Sequence, residues 1–128
     1  MEIYTDGACI PNPGKGGWGF VVVSHDDVFA ERSGGVLDTT NNRMEFQAVI
    51  EALEWLEPDE RVVIYSDSQL VVKVLNGEWN GKKNVDLVEA GRDLMFSKKA
   101  ELEWIRGHAG NKWNEYADSL AEGVAVGL

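Results

Sequence analysis

At 128 residues, with 44% hydrophobic side chains and five Trp, the chain is long enough for one self-sufficient core, and its ordinary composition excludes disorder. No apolar run approaches the ~20 residues of a membrane span, and Cys9, the only cysteine, excludes an internal disulfide and suits a reducing compartment. Twenty-two acids against twelve bases give a net charge of −10, which weighs against a nucleic-acid binder of any kind, catalytic or passive, since such proteins are usually basic.

The first strand is expected over Met1 to Thr5, ending at Asp6-Gly7. A strand-like run beginning at Met1 leaves no room for a signal or transit peptide, so a cytoplasmic protein with no membrane role is expected. Pro11-Asn12-Pro13-Gly14-Lys15-Gly16-Gly17 reads as a turn cluster. Trp18 to Ser24 and Val28 to Leu37 read as two antiparallel strands joined at His25-Asp26-Asp27. A helix is predicted from Asn42 to Leu56, closed by Pro58. Five acids crowd its end: Glu51, Glu54, Glu57, Asp59 and Glu60.

Val62 to Tyr65 is continuously apolar, as a buried strand should be. Ser68 to Leu75 continues as a helix, and Asn76-Gly77 and Asn80-Gly81 punctuate the stretch after it. Val85 to Phe96 has helical spacing, Glu101 to Ile105 is a strand, Arg106 to Gly110 a loop, and Asn111 to Val124 the last helix. Neither repeat nor linker divides the chain, so one domain over 1–128 is expected. Three strands followed by alternating helices and strands imply an α/β protein: a mixed sheet with helices packed on it.

Four carboxylates stand in telling places. Asp6 and Asp67 follow strand-like runs, and ligands of open α/β sheets bind beyond strand ends. Each also has a structural reading, Asp6 as a turn residue and Asp67 as a helix cap. At ~100° per residue, Glu45 falls opposite the polar stripe of Gln47, Glu51 and Glu54, among Val49, Ala52 and Leu56. A carboxylate there must be neutralised, paired or bound to metal, unless its first-turn position carries it past the core. Asn114 and Asp118 lie four apart on the flank of the last helix and project together. A solvated acidic flank would explain that Asp equally well.

Taken together, the segments resemble type 1 ribonuclease H. Tyr4-Thr5-Asp6-Gly7-Ala8-Cys9, Asn12-Pro13-Gly14, Thr39-Thr40-Asn41-Asn42-Arg43-Met44-Glu45 and Tyr65-Ser66-Asp67-Ser68-Gln69 occur in the family's order. So do Lys83-Asn84-Val85-Asp86-Leu87, Trp104-Ile105-Arg106-Gly107-His108-Ala109-Gly110, Asn114-Glu115 and Ala117-Asp118. The resemblance spans nearly the whole chain. It implies a ribonuclease H-like fold: a five-stranded mixed sheet, second strand antiparallel, flanked by helices. It also implies an endoribonuclease that cuts the RNA strand of RNA–DNA hybrids, leaving 5′-phosphate and 3′-hydroxyl ends.

By the same resemblance Asp6, Glu45, Asp67 and Asp118 converge on two Mg²⁺ ions, with Mn²⁺ as a substitute. Asp6 would bridge the ions, Asp67 would hold the one that activates water, and Glu45 and Asp118 would serve the leaving-group side. His108 would handle protons or product release, with Asn114 orienting its neighbours. Gln69, Asn41 and main-chain groups around Cys9 and Met44 are assigned to the RNA strand, Thr40 to a DNA phosphate, and Asn12 and Asn42 to the minor groove. Capping or turn roles are open for each of these. His25 matches no functional position.

One departure is plain. Only Asn76 to Lys83 fills the interval where some relatives carry a long, basic, Trp-rich protrusion, leaving Trp79, Lys82 and Lys83 as a remnant. Weak, distributive, salt-sensitive binding by a monomer is expected. Lys73, Lys98 and Lys99 are candidate phosphate contacts, though solvated surface lysines fit as well. Two other readings are open: a nuclease of the same fold with double-stranded RNA activity, and a non-catalytic hybrid-binding module.

Overall fold

In the computed structural model, which describes residues 1–107 and 110–128, the strands form one five-stranded sheet in the order β3-β2-β1-β4-β5. Strand β1 (Glu2–Cys9) pairs antiparallel with β2 (Gly14–Ser24), which pairs antiparallel with β3 (Asp27–Thr39). On its other side β1 runs parallel to β4 (Val63–Ser66), and β4 parallel to β5 (Glu101–Trp104). The second strand alone opposes the rest, as the resemblance implied.

Helices α1 (Asn41–Trp55), α2 (Gln69–Leu75) and α3 (Val85–Ser97) cover one face, and α4 (Lys112–Gly127) covers the other. Alternation along the strands explains the division. Ile3, Phe20, Val22 and Ile64 pack with Phe46, Val49, Leu53 and Val71 on one side. Tyr4, Val21 and Val23 pack with Trp113 and Ala117 on the other. A strand between two helical layers must be apolar throughout, and β1 is buried from Ile3 to Cys9.

Two expectations are corrected. The first strand does not stop at Thr5: its ladder with β2 continues to the pair Cys9–Gly16, so Asp6 lies inside β1 rather than after it. The glycines read as a turn cluster are mostly strand, since β2 starts at Gly14. They serve close approach: a Cβ on Gly17 would lie 2.3 Å from the Ala121 carbonyl oxygen. Helix α4 therefore settles directly onto β2. The other boundaries differ by a few residues, as at β4, which runs one residue past Tyr65.

Candidate active site

The site gathers within β1, beside the C-terminal end of β4, where three layers meet. Asp6 follows Thr5 in the central strand and is 4% exposed. Because side chains alternate along a strand, its neighbour Gly7 turns the opposite way, toward α1. Helix α1 starts there for a local reason: Thr40 caps it, the hydroxyl accepting from the Arg43 N–H at 3.3 Å. The first turn lies so near β1 that a Cβ on Gly7 would sit 2.3 Å from the Met44 carbonyl carbon and 2.4 Å from the Glu45 nitrogen. Across this contact the Gly7 N–H donates to Glu45 Oε1 at 2.6 Å and to Asp6 Oδ1 at 2.9 Å. One backbone donor holds two carboxylates.

Asp67 arrives from the neighbouring strand. It follows β4 directly, as the sequence predicted, and its carbonyl accepts from the Trp104 indole N–H at 3.1 Å. Gly107 lies against it: a Cβ there would be 2.7 Å from Asp67 Oδ2. Asp6, Glu45 and Asp67 each place a carboxylate oxygen within 4.8 Å of the others.

Such closeness has an electrostatic cost. Burial lifts the Asp6 carboxyl from 3.8 to about 7, and the Asp67 and Asp118 charges push the same way. Hydrogen bonds from Glu45 and Gly7 only partly offset this. Burial, followed by the charge on Asp6, drives Glu45 well above its ordinary value. Asp6 and Glu45 thus resist full ionisation as a pair when nothing else neutralises the group. Oxygen ligands this dense, with no Lys or Arg among the residues lining the cleft, fit a hard divalent cation.

The cleft around these acids has a volume of about 250 Å³ and is also lined by Asp118, Cys9, Asn41 and Glu122. Asp118 faces the same space from α4 but stands outside the tight group of three. Cys9 is buried, its thiol toward the Pro11 and Thr39 carbonyls at 3.2 and 3.4 Å. The Asn12 side-chain oxygen accepts from the Asn41 N–H at 3.1 Å, fixing the loop to the helix start. Thr40 acts as the α1 cap. Asn42 turns away from the acids toward an apolar hollow beside Phe46 and Val74. Gln69, exposed at the start of α2, does not line the cleft.

Asn114 needs correction. It is no flank residue: it is 2% exposed, and its Nδ2 has no hydrogen-bond partner among the described residues. Position 114 precedes 118 by one turn, yet α4 tilts that side inward. His108 lies outside the described residues. The three lysines suggested for phosphate are engaged elsewhere: Lys73 with Glu78, Lys98 with the Leu56 carbonyl, and Lys99 with Asp59.

Sequence reasoning missed five contributors. The Gly7 donor was hidden because Asp-Gly reads as a turn; only the β1–α1 contact reveals it. Trp104 and Gly107 act on Asp67 through non-local contacts. Arg43 grips Asp86 with both terminal nitrogens, at 3.1 and 2.7 Å, tying the first turn of α1 to α3. Glu122 carried a usable signal, four residues beyond Asp118 on the same face.

The chain matches the RNase H family profile over residues 1–126. It is 45% identical to a ribonuclease H of Janthinobacterium sp. (strain Marseille), over 98% of this chain and 96% of that protein. It is 38% identical to a ribonuclease HI of Campylobacter jejuni, over 98% of this chain and 91% of that one. The crystal structure of RNase H1 from the halophilic archaeon Halobacterium salinarum superposes with a TM-score of 0.84 at 31% identity, covering 99% of this chain and 98% of that one. LC11-RNase H1, solved in complex with an RNA/DNA hybrid, gives 0.83 at 26% identity, covering 98% and 96%.

Proposed function

The chain belongs to the ribonuclease H family; it is an enzyme that hydrolyses the RNA strand of RNA–DNA hybrids, and we propose that Asp6, Glu45, Asp67 and Asp118 are the residues that carry the reaction. The observation behind this is the meeting of three carboxylates within 4.8 Å beside the central strand. When bound there, two Mg²⁺ ions (or Mn²⁺) would neutralise the acids and stabilise the attacking and leaving oxygens of a phosphoryl displacement.

The protein's own part is placement. Gly7 fixes the Asp6 and Glu45 carboxylates through one N–H. Trp104 steadies the backbone that presents Asp67. Asp118 supports the group from the opposite layer, and Asn114, by family resemblance, orients neighbouring groups. His108, by family resemblance, handles a proton or product release. Asn12, Thr40, Asn41, Asn42, Gln69 and the backbone near Cys9 are the proposed substrate contacts; the tie from Asn12 to Asn41 makes two of them one unit. The 2′-hydroxyl is what lets a protein tell RNA from DNA at a given position, so these contacts would set the strand that is cut.

We further propose one catalytic domain over residues 1–128, acting as a monomer in the cytoplasm. No described helix is long and apolar enough to cross a membrane. The deciding experiment is cleavage of an end-labelled hybrid with Mg²⁺, beside matched RNA–RNA and DNA–DNA duplexes. Products with 5′-phosphate ends are expected from the hybrid alone. Chelator or Asp6→Asn should abolish turnover with the fold intact. Equal cutting of duplex RNA would favour the double-stranded RNA reading, and binding without cleavage would favour the passive module.

A further inference from the structure

Glu122 is a fifth carboxylate in the wall of the cleft, and the proposed reaction has no use for it. Three acids form the tight group, and Asp118 faces them. Glu122 lies one helical turn further along α4, exposed to solvent. Among the described residues it has no hydrogen bond or ion pair, while the lining around it contains neither Lys nor Arg.

An exposed helical Glu ordinarily needs no explanation. Here two features ask for one. Like charges four residues apart disfavour the helix that carries them, so Asp118 and Glu122 oppose each other along α4. The cleft must also admit a polyanion. Ions bound among Asp6, Glu45 and Asp67 would offset those acids, whereas Glu122 stands outside the group and would meet the phosphate backbone uncompensated.

We propose that Glu122 sets the affinity of the hybrid cleft: its charge repels the phosphate backbone beside the reacting position and holds affinity down, so that bound strands leave readily. The inference rests on the hybrid-hydrolase reading. A single charge in a solvent-exposed wall acts through water and salt. Its effect on binding should be a few-fold at low ionic strength and should fade once the Debye length falls well below the ~10 Å found at 0.1 M.

The test is steady-state cleavage of a labelled hybrid at saturating Mg²⁺, over a series of KCl concentrations. Four proteins are compared: the unsubstituted chain, Glu122→Gln, Glu122→Lys, and Glu89→Gln as a charge-count control on α3, away from the cleft. Glu122→Gln should lower KM about threefold at low salt, and Glu122→Lys should lower it further, with kcat little changed. The slope of log affinity against log salt should steepen by up to about one for Gln and two for Lys. A merely structural role would move neither slope.

Unchanged KM and slope in both variants would overturn the proposal. So would a fall in kcat with KM constant, or an equal effect in Glu89→Gln. Failure of the unsubstituted chain to cut hybrid would bring down the underlying reading as well; normal cutting with insensitive variants would bring down this proposal alone.

Discussion

Removing the charge of Asp6 should make the metal-free protein more stable while it destroys activity. The carboxyl is lifted from 3.8 to about 7 by burial and by the acids beside it. A folded-state pKa above the unfolded one means that the folded protein binds the proton more tightly. The associated stability is complete below the unfolded value near 3.8 and is lost as pH rises through about 7. At ~1.4 kcal/mol per decade, roughly three decades cap the loss at about 4 kcal/mol by pH 8. Glu45 shares the same proton, so part of that relief is spread between the two, and about 2–4 kcal/mol is expected from Asp6→Asn. The amide oxygen of Asn can still accept from the Gly7 N–H, so the geometry survives the change.

For a domain of this size each kcal/mol moves the melting midpoint by ~3–5 °C, which gives a gain of about 6–20 °C. Thermal unfolding followed by circular dichroism, in chelator at pH 5 and pH 8, reads it directly. The difference between variant and unsubstituted chain is the diagnostic quantity, because it cancels the other acids. It should be less than half as large at pH 5 as at pH 8. Adding Mg²⁺ should raise the midpoint of the unsubstituted chain and close most of the gap. A variant no more stable than the original at pH 8, or a gap that ignores pH, would refute the claim that these carboxylates are crowded.

Three further substitutions probe the placement of the acids. Gly7→Ala drives a Cβ to 2.3 Å from the backbone of Met44; urea unfolding should show a loss of about 3 kcal/mol or more, with turnover lost because Glu45 is displaced. Asp118→Asn, outside the group of three, should cost no more than about tenfold in kcat, or ~1.4 kcal/mol of barrier; a loss matching that of Asp6→Asn would mean that four acids act as one unit. Trp104→Phe deletes the 3.1 Å hydrogen bond to the Asp67 carbonyl, so denaturant titration should register about 1 kcal/mol and kcat should fall severalfold as the turn loosens.

How much of this could be read from the residues depends on the range of the interaction. Thr40 and Asn41 mark the start of α1 locally, and Asp67 follows a four-residue apolar strand, so both were legible. The place of Glu45 opposite the polar stripe followed from helical periodicity; the structure sets it half-buried, accepting from the Gly7 N–H. The extent of β1 was not legible, since Ala8 and Cys9 become strand only through pairing with Gly17 and Gly16, which look like turn residues when read alone. Asn114 misled for a related reason. A polar residue one turn before an acid suggests a wet flank, and only the seating of α4 on the β2 glycines shows that it points inward. The convergence of Asp6 with Glu45 needed the family resemblance, because it depends on a backbone contact between residues 38 apart.

A charge of −10 on a protein that handles a polyanion becomes intelligible once its distribution is known. Helix α1 has 15 residues and begins at the cleft; at ~1.5 Å per residue its far end lies about 22 Å away. Of the acid-rich stretch from Glu51 to Glu60, Glu57, Asp59 and Glu60 lie past that far end. There Glu57 and Glu60 form a local turn and Asp59 meets Lys99. Charges so distant exceed the ~10 Å screening length at 0.1 M salt, so most of them contribute solubility and little repulsion at the site. The carboxylates that a substrate would meet are those of the cleft itself, and three of these stand where a divalent ion would convert repulsion into attraction. Net charge is therefore the wrong measure of whether this protein can engage a nucleic acid; the sign of the cleft depends on whether its cations are bound.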